Sequence, residues 1–117
     1  MNIKTLKQII KNGGATISTK TKKQVNYKTG FQVSFCDCYT IELTDLNDIL
    51  NKINKLLKEN QNNNNFVGLW VENNKIYIDL SNRIKRKNVA LIFGALKNQI
   101  SIFEWSTKNC IYIKKLA

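Results

Sequence analysis

The 117-residue sequence predicts an α+β fold, a single domain of antiparallel β-hairpins packed by three helices. Three observations point there. Three stretches space their apolar residues as amphipathic helices do, and several others alternate apolar and polar residues with period two. The length suits one domain with an ordinary core, and 43% apolar against 23% charged residues is a globular composition.

Taken in order, Ile3, Leu6, Ile9 and Ile10 share helical spacing, while Lys4, Lys7 and Lys11 fall elsewhere on the wheel. Asn12-Gly13-Gly14 supplies left-handed residues that stop this first helix. Short strands are expected over 15–18 and 24–27, around a polar turn at 19–23. Residues 31–35 and 39–43 alternate and read as two more strands. The second helix is the clearest element. Leu46, Ile49, Leu50, Ile53, Leu56 and Leu57 make one continuous apolar stripe. Thr44 or Asp45 caps its start, Asp48 lies near the positive dipole end, and Lys52, Lys55 and Lys58 lie toward the other end. The polar run 60–65 then reads as an exposed joint between possible halves 1–59 and 66–117.

Residues 66–72 and 75–80 flank Asn73-Asn74, a good two-residue hairpin turn. Counting outward from the turn pairs Val71 with Ile76, Leu69 with Ile78 and Val67 with Leu80, so one face is wholly aliphatic. The other face pairs Trp70 with Tyr77 and Gly68 with Asp79. A third helix is expected over 87–98 with Val89, Ile92, Phe93 and Leu96 inward, followed by strands at 100–105 and 110–113. Gly30-Phe31-Gln32-Val33 and Gly68-Leu69-Trp70-Val71 echo each other. Each is followed by a similar strand end (Ile41-Glu42-Leu43-Thr44, Ile78-Asp79-Leu80-Ser81) and then a helix, which suggests a possible β-β-α duplication.

Composition narrows the chemistry. With no His, the commonest general base and the usual zinc nitrogen ligand are missing, along with any Ser-His or Cys-His pair. Cys36, Cys38 and Cys110 are odd in number, do not read as a secreted disulfide framework, and make a poor zinc set. They read as reduced, partly buried thiols. No phosphate-binding glycine loop is present. No apolar run is long enough for a membrane span, and the polar start does not read as a signal peptide, so a cytoplasmic protein is expected. No metal or cofactor is expected.

The net charge is +11. Residues 1–35 carry seven Lys and no acid, 36–82 four Lys and seven acids, and 83–117 eight bases and one acid. Lys, Asn and Ile together account for 49 residues, all with A/T-rich codons, so part of the lysine excess reads as genome composition. If the basic ends meet in space they form one surface. Its densest part is Arg83, Lys85, Arg86 and Lys87, just before the third helix. Backbone N–H groups there suit a phosphate, although a solvated basic turn explains the run as well. Lys20, Lys22 and Lys23 form a weaker cluster. Trp70, Tyr77, Phe103 and Trp105 are either a surface for stacking bases or core. Asp79, Glu72 and Glu104 would serve a metal-dependent nuclease only if they converged.

The stretch Phe66-Val67-Gly68-Leu69-Trp70-Val71-Glu72-Asn73-Asn74-Lys75-Ile76-Tyr77-Ile78-Asp79, continuing to Gln99-Ile100-Ser101-Ile102-Phe103, resembles a segment of small uncharacterised accessory proteins of bacteriophages and mobile elements. So do Asn12-Gly13-Gly14-Ala15-Thr16 and Thr29-Gly30-Phe31-Gln32-Val33-Ser34. The resemblance implies an anti-CRISPR or other anti-defence context in the cytoplasm of a bacterial host, and carries over no catalytic residue. The expectation is a non-enzymatic inhibitor of a host defence nucleoprotein, a CRISPR effector being one candidate. It would act through Arg83, Lys85, Arg86 and Lys87, with Lys20, Lys22, Lys23, Trp70 and Tyr77 as further contacts. At +11 it would not imitate DNA. A direct RNA- or DNA-binding module is the alternative, and a nuclease a more distant one.

Overall fold

A computed structural model describes residues 1–113. Its elements are α1 (Ile3–Asn12), β1 (Gly14–Ser18), β2 (Phe31–Glu42), α2 (Leu46–Glu59), β3 (Phe66–Glu72), β4 (Lys75–Ile84), α3 (Lys87–Leu96), β5 (Ser101–Glu104) and β6 (Asn109–Tyr112). The strands form one curled antiparallel sheet in the order β1-β3-β4-β2-β5-β6. The radius of gyration, 13.9 Å, is what one domain of this length has. The α+β class, the three helices and the two hairpins of the second half, β3–β4 and β5–β6, stand as the sequence predicts.

Local chemistry sets the boundaries. Asn2 accepts from the Thr5 N–H to cap α1, and Gly13 ends it at φ 93°. Of the two candidate caps on α2, Asp45 is the one that binds, accepting from the Asp48 N–H. The β3–β4 hairpin has the expected register, from Glu72 opposite Lys75 to Val67 opposite Leu80. Asn73 and Asn74 both adopt positive φ, 52° and 62°, as a type I′ turn requires.

Four elements differ from expectation. The two strands read at 31–35 and 39–43 are one strand, β2, whose pairing with β4 slips twice, between Ser34 and Cys36 and between Asp37 and Tyr39. Two bulges break the alternation locally and restore it beyond, so Val33 and Ile41 share a face. Residues 24–27 are not a strand; only Gln24 bridges to Ile17. The first half of the sequence echo is thus a single bulged strand and the second a hairpin, two different settings. The polar run at 60–65 is not wholly exposed. Asn65 is buried, and the Thr19 hydroxyl donates to its carbonyl and its side-chain oxygen at 2.9 and 3.0 Å.

The fourth difference is α3. Its buried residues are Ala90 and Gly94, with Leu91 and Phe93 half-buried. Val89, Ile92 and Leu96 are exposed instead of inward. Small residues let the helix lie close on the sheet. A Cβ at Gly94 would meet Ile113 Cδ1 at 2.6 Å and Ile102 Cγ2 at 3.1 Å. Close approach through Ala90 and Gly94 turns the bulky residues outward.

The core lies on one side of the sheet. Leu6 and Ile9 of α1 and Ile49, Ile53, Leu56 and Leu57 of α2 pack on Ile17, Val67, Leu69, Ile76, Ile78 and Leu80. Beside this cluster, Ala90 of α3 packs with Phe31, Val33 and Ile102. Val33 pairs with Asn82 and Phe31 with Ile84, two and four residues beyond Leu80, so both clusters share a face. All three helices cover that face. Among the described residues, no helix covers the other face.

Candidate binding face and basic end

Period-two alternation puts the neighbours of the core residues on the uncovered face. Thr16, Gly68, Asp79 and Asp37 line up across β1, β3, β4 and β2. Beside them lie Trp70 and Tyr77 on one side, and Phe66, Ser81 and Ser34 on the other. Gln32 and Phe103 continue the row on β2 and β5. The β2 bulges bend the sheet toward this side. Trp70 and Phe103 meet edge to face with ring centroids 5.7 Å apart, although β4 and β2 lie between their strands.

The contact belongs to an arc of five rings. Phe103 meets Trp105 at 5.1 Å, Trp105 meets Tyr27 at 5.5 Å, and Tyr27 meets Phe66 at 5.9 Å. The arc starts at Trp70 and returns at Phe66, so both ends sit on β3 with Gly68 between them. Gln32 ties floor to rim: its amide donates to the Ser81 hydroxyl at 2.9 Å and accepts the Trp105 indole N–H at 3.0 Å. The question of core or surface for the four aromatics thus divides. Trp105 is 5% exposed and Phe103 half-buried, whereas Trp70 and Tyr77 stand 45% and 38% exposed.

Within the arc is a hollow of about 190 Å³ lined by Thr16, Ser34, Gly68, Asp79, Ser101 and Phe103 among others. Among the described residues, no Lys or Arg lines it. Asp79 is at its floor, where burial pushes the carboxyl up to about 6, with the nearby Asp37 charge adding to the rise. The Ser34 hydroxyl and the Gly68 N–H pull the other way by hydrogen-bonding the carboxylate. A Cβ at Gly68 would meet Asp79 Oδ1, so a larger residue there would push the carboxylate from its present place. Burial, the Cys36 thiol and the Asp79 charge likewise push Cys38 up to about 12, so it stays a thiol. Its sulfur lies 3.2 Å from that of Cys36. Among the described residues, no group of three acids or thiols converges as a metal site would need.

The cations gather at one end of the sheet. Antiparallel register places the β1–β2 connection, the β4–α3 junction and the β5–β6 turn together, since Ser18, Phe66 and Ser81 align, as do Ile84, Phe31 and Glu104. Lys20, Lys22, Lys23, Lys28, Arg83, Lys85, Arg86, Lys87 and Lys108 therefore share that end, nine of the 19 bases. Two of the remaining bases, Lys114 and Lys115, lie outside the described residues. The nine are not equivalent. Arg83 donates to the Thr29 carbonyl at 2.7 Å and stacks over Tyr27 at 4.2 Å. Lys108 donates to the Tyr27 carbonyl at 3.0 Å and sits over Trp105 at 4.5 Å. Both strap the connection 19–30 to the sheet. Lys85, Arg86 and Lys87 are exposed at the start of α3, whose first turn holds no acid and whose Arg86 cap makes no side-chain hydrogen bond. Lys20, Lys22 and Lys23 are exposed in the turn after β1.

The sequence-predicted residues thus fall in two places: the basic ones at the end, and Trp70 with Tyr77 at the other side of the hollow. Sequence reading missed the contribution of Tyr27 and Phe66 to the arc. The single available signal was the small Gly68 opposite the acidic Asp79. Comparison with protein families, with curated proteins and with solved structures returned no match.

Proposed function

We propose that the protein binds single-stranded nucleic acid without reacting with it, holding phosphates at the basic end and resting bases on the helix-free face. The observation that supports this reading is that exposed cations gather at one end of the sheet while Trp70 and Tyr77 stand exposed on its uncovered face. From Tyr77 to Arg83 is about 20 Å along β4, room for a few nucleotides. Stacking on aromatic side chains and charge along a groove are the two parts of strand binding without sequence readout.

A labelled uridine hexanucleotide, titrated over a salt series, tests it. Affinity should fall steeply with salt, by roughly 0.7 in the log–log slope per phosphate neutralised. Reversing Lys85, Arg86 and Lys87 to Glu should flatten that slope by about two. Reversing Lys4, Lys7 and Lys11 on α1 should change it far less. Equal losses from both triple variants would mean diffuse attraction to a +11 chain and would remove the site.

A second reading is favoured by the apolar stripe on α3, where Val89, Ile92 and Leu96 are exposed beside the basic junction, with Ile100 next to them. It is docking onto the protein component of a nucleoprotein, the inhibitor role in host defence. Binding to an assembled nucleoprotein but not to free strands, lost on Ile92→Lys, is its outcome.

A further inference from the structure

We propose that the hollow over Asp79 takes one guanine base, with the Asp79 carboxylate accepting from its Watson–Crick edge. This rests on the strand-binding reading above and gives it a base preference.

The lining decides the chemistry. Among the described residues no Lys or Arg lines the hollow, so a phosphate finds no cationic partner in that lining. Two carboxylates, Asp79 and Asp37, only accept when ionised, while the hydroxyls and amides around them can donate or accept, so the hollow suits an occupant that brings donors. Trp70 and Phe103, the two rings of the arc that line the hollow, offer apolar ring surface beside the acid, which favours a flat, unsaturated group. At about 190 Å³ the hollow is smaller than the roughly 300–1,000 Å³ that encloses a drug-sized ligand. It admits one ring system and leaves the rest of the molecule outside. What remains outside meets a basic end, so it is anionic.

A donor-rich flat ring on an anionic chain is a nucleobase. Among the bases, guanine alone offers two adjacent N–H donors to a carboxylate, from N1 and the exocyclic N2, whereas adenine and cytosine offer one amino group and uracil one imide N–H. Ser34 and Gly68 lie beside the carboxylate, which when ionised accepts about four hydrogen bonds and so keeps acceptor capacity for an occupant. Gly68 keeps the space above it open.

The test is anisotropy with uridine hexanucleotides carrying one central guanosine, inosine or adenosine, or none. The wild-type chain should bind the guanosine strand on the order of ten-fold or more above the adenosine strand, as a bidentate pair discriminates. Inosine, which lacks the N2 amino group, should fall between. Asp79→Asn should bring the guanosine strand down to the adenosine strand. Asp79→Ser, which also keeps the hollow open, should do the same if Asn distorts it. Binding of all four strands with equal strength, or a preference that survives both variants, overturns the inference and leaves the strand-binding reading standing. Failure of every strand to bind removes the reading itself and the inference with it.

Discussion

Asp79 works against the stability of its own fold. An acid that ionises near 3.8 when unfolded and near 6 when folded takes up a proton on folding between those values. Its penalty is absent below about pH 4, grows as pH rises, and is complete above about pH 6, where it reaches roughly 3 kcal/mol at most. Asp79→Asn should therefore stabilise the protein by about 1–2 kcal/mol at neutral pH and by almost nothing near pH 4. Urea unfolding at the two pH values measures the difference, and an equal gain at both would show that the carboxylate is not desolvated. A buried acid that destabilises the fold marks a position kept for something other than packing. At this scale the sequence was half legible. The pairing of Gly68 with Asp79 follows from counting along the hairpin, but the burial of that pair depends on bulges in β2, a strand 26 residues and more away. Asn65 was misread for a related reason: four of its five preceding neighbours are exposed, and only the partner Thr19, from β1's end, makes it interior.

Elements with strong periodicity were legible and the rest were not. The stripe of α2 and the register of the β3–β4 hairpin need only local counting, and both stand as read. The failure at α3 is informative. Both faces of that helix are apolar, so periodicity could not choose between Val89-Ile92-Leu96 and Ala90-Gly94, and closeness of approach made the choice. The outer stripe contributes little to the fold. Ile92→Lys together with Leu96→Lys, at positions as much as 75% exposed, should change unfolding free energy by less than about 0.5 kcal/mol. A loss of several kcal/mol in equilibrium unfolding would mean that the helix packs by its large side chains after all.

For the molecule as a whole, charge along the chain foretold charge in space only in part. The basic N-terminal and C-terminal segments do meet at one end of the sheet, because β1, β2, β4 and β5 each deliver an end there. Which cations are free to meet a partner was not readable. Arg83 heads the densest run in the sequence yet spends its guanidinium on Thr29 and Tyr27, whereas Lys85, Arg86 and Lys87 remain exposed. Sheet order was not readable either, since local alternation marks a strand without naming its neighbour.

That order bears on how the chain comes together. β1 from the first half lies against β3 from the second, and β2 is inserted between β4 and β5. A chain emerging from the ribosome has no complete sheet until β6 has been made, and its early strands must wait with open edges. Cutting the exposed turn at 61–64 should give two fragments that are each unstructured alone but regain the native circular-dichroism spectrum when mixed at equal concentration. A fragment that folds unaided would mean that this interlocked sheet is dispensable. As it stands, the molecule is assembled less like two beads on a string than like two combs pushed into each other.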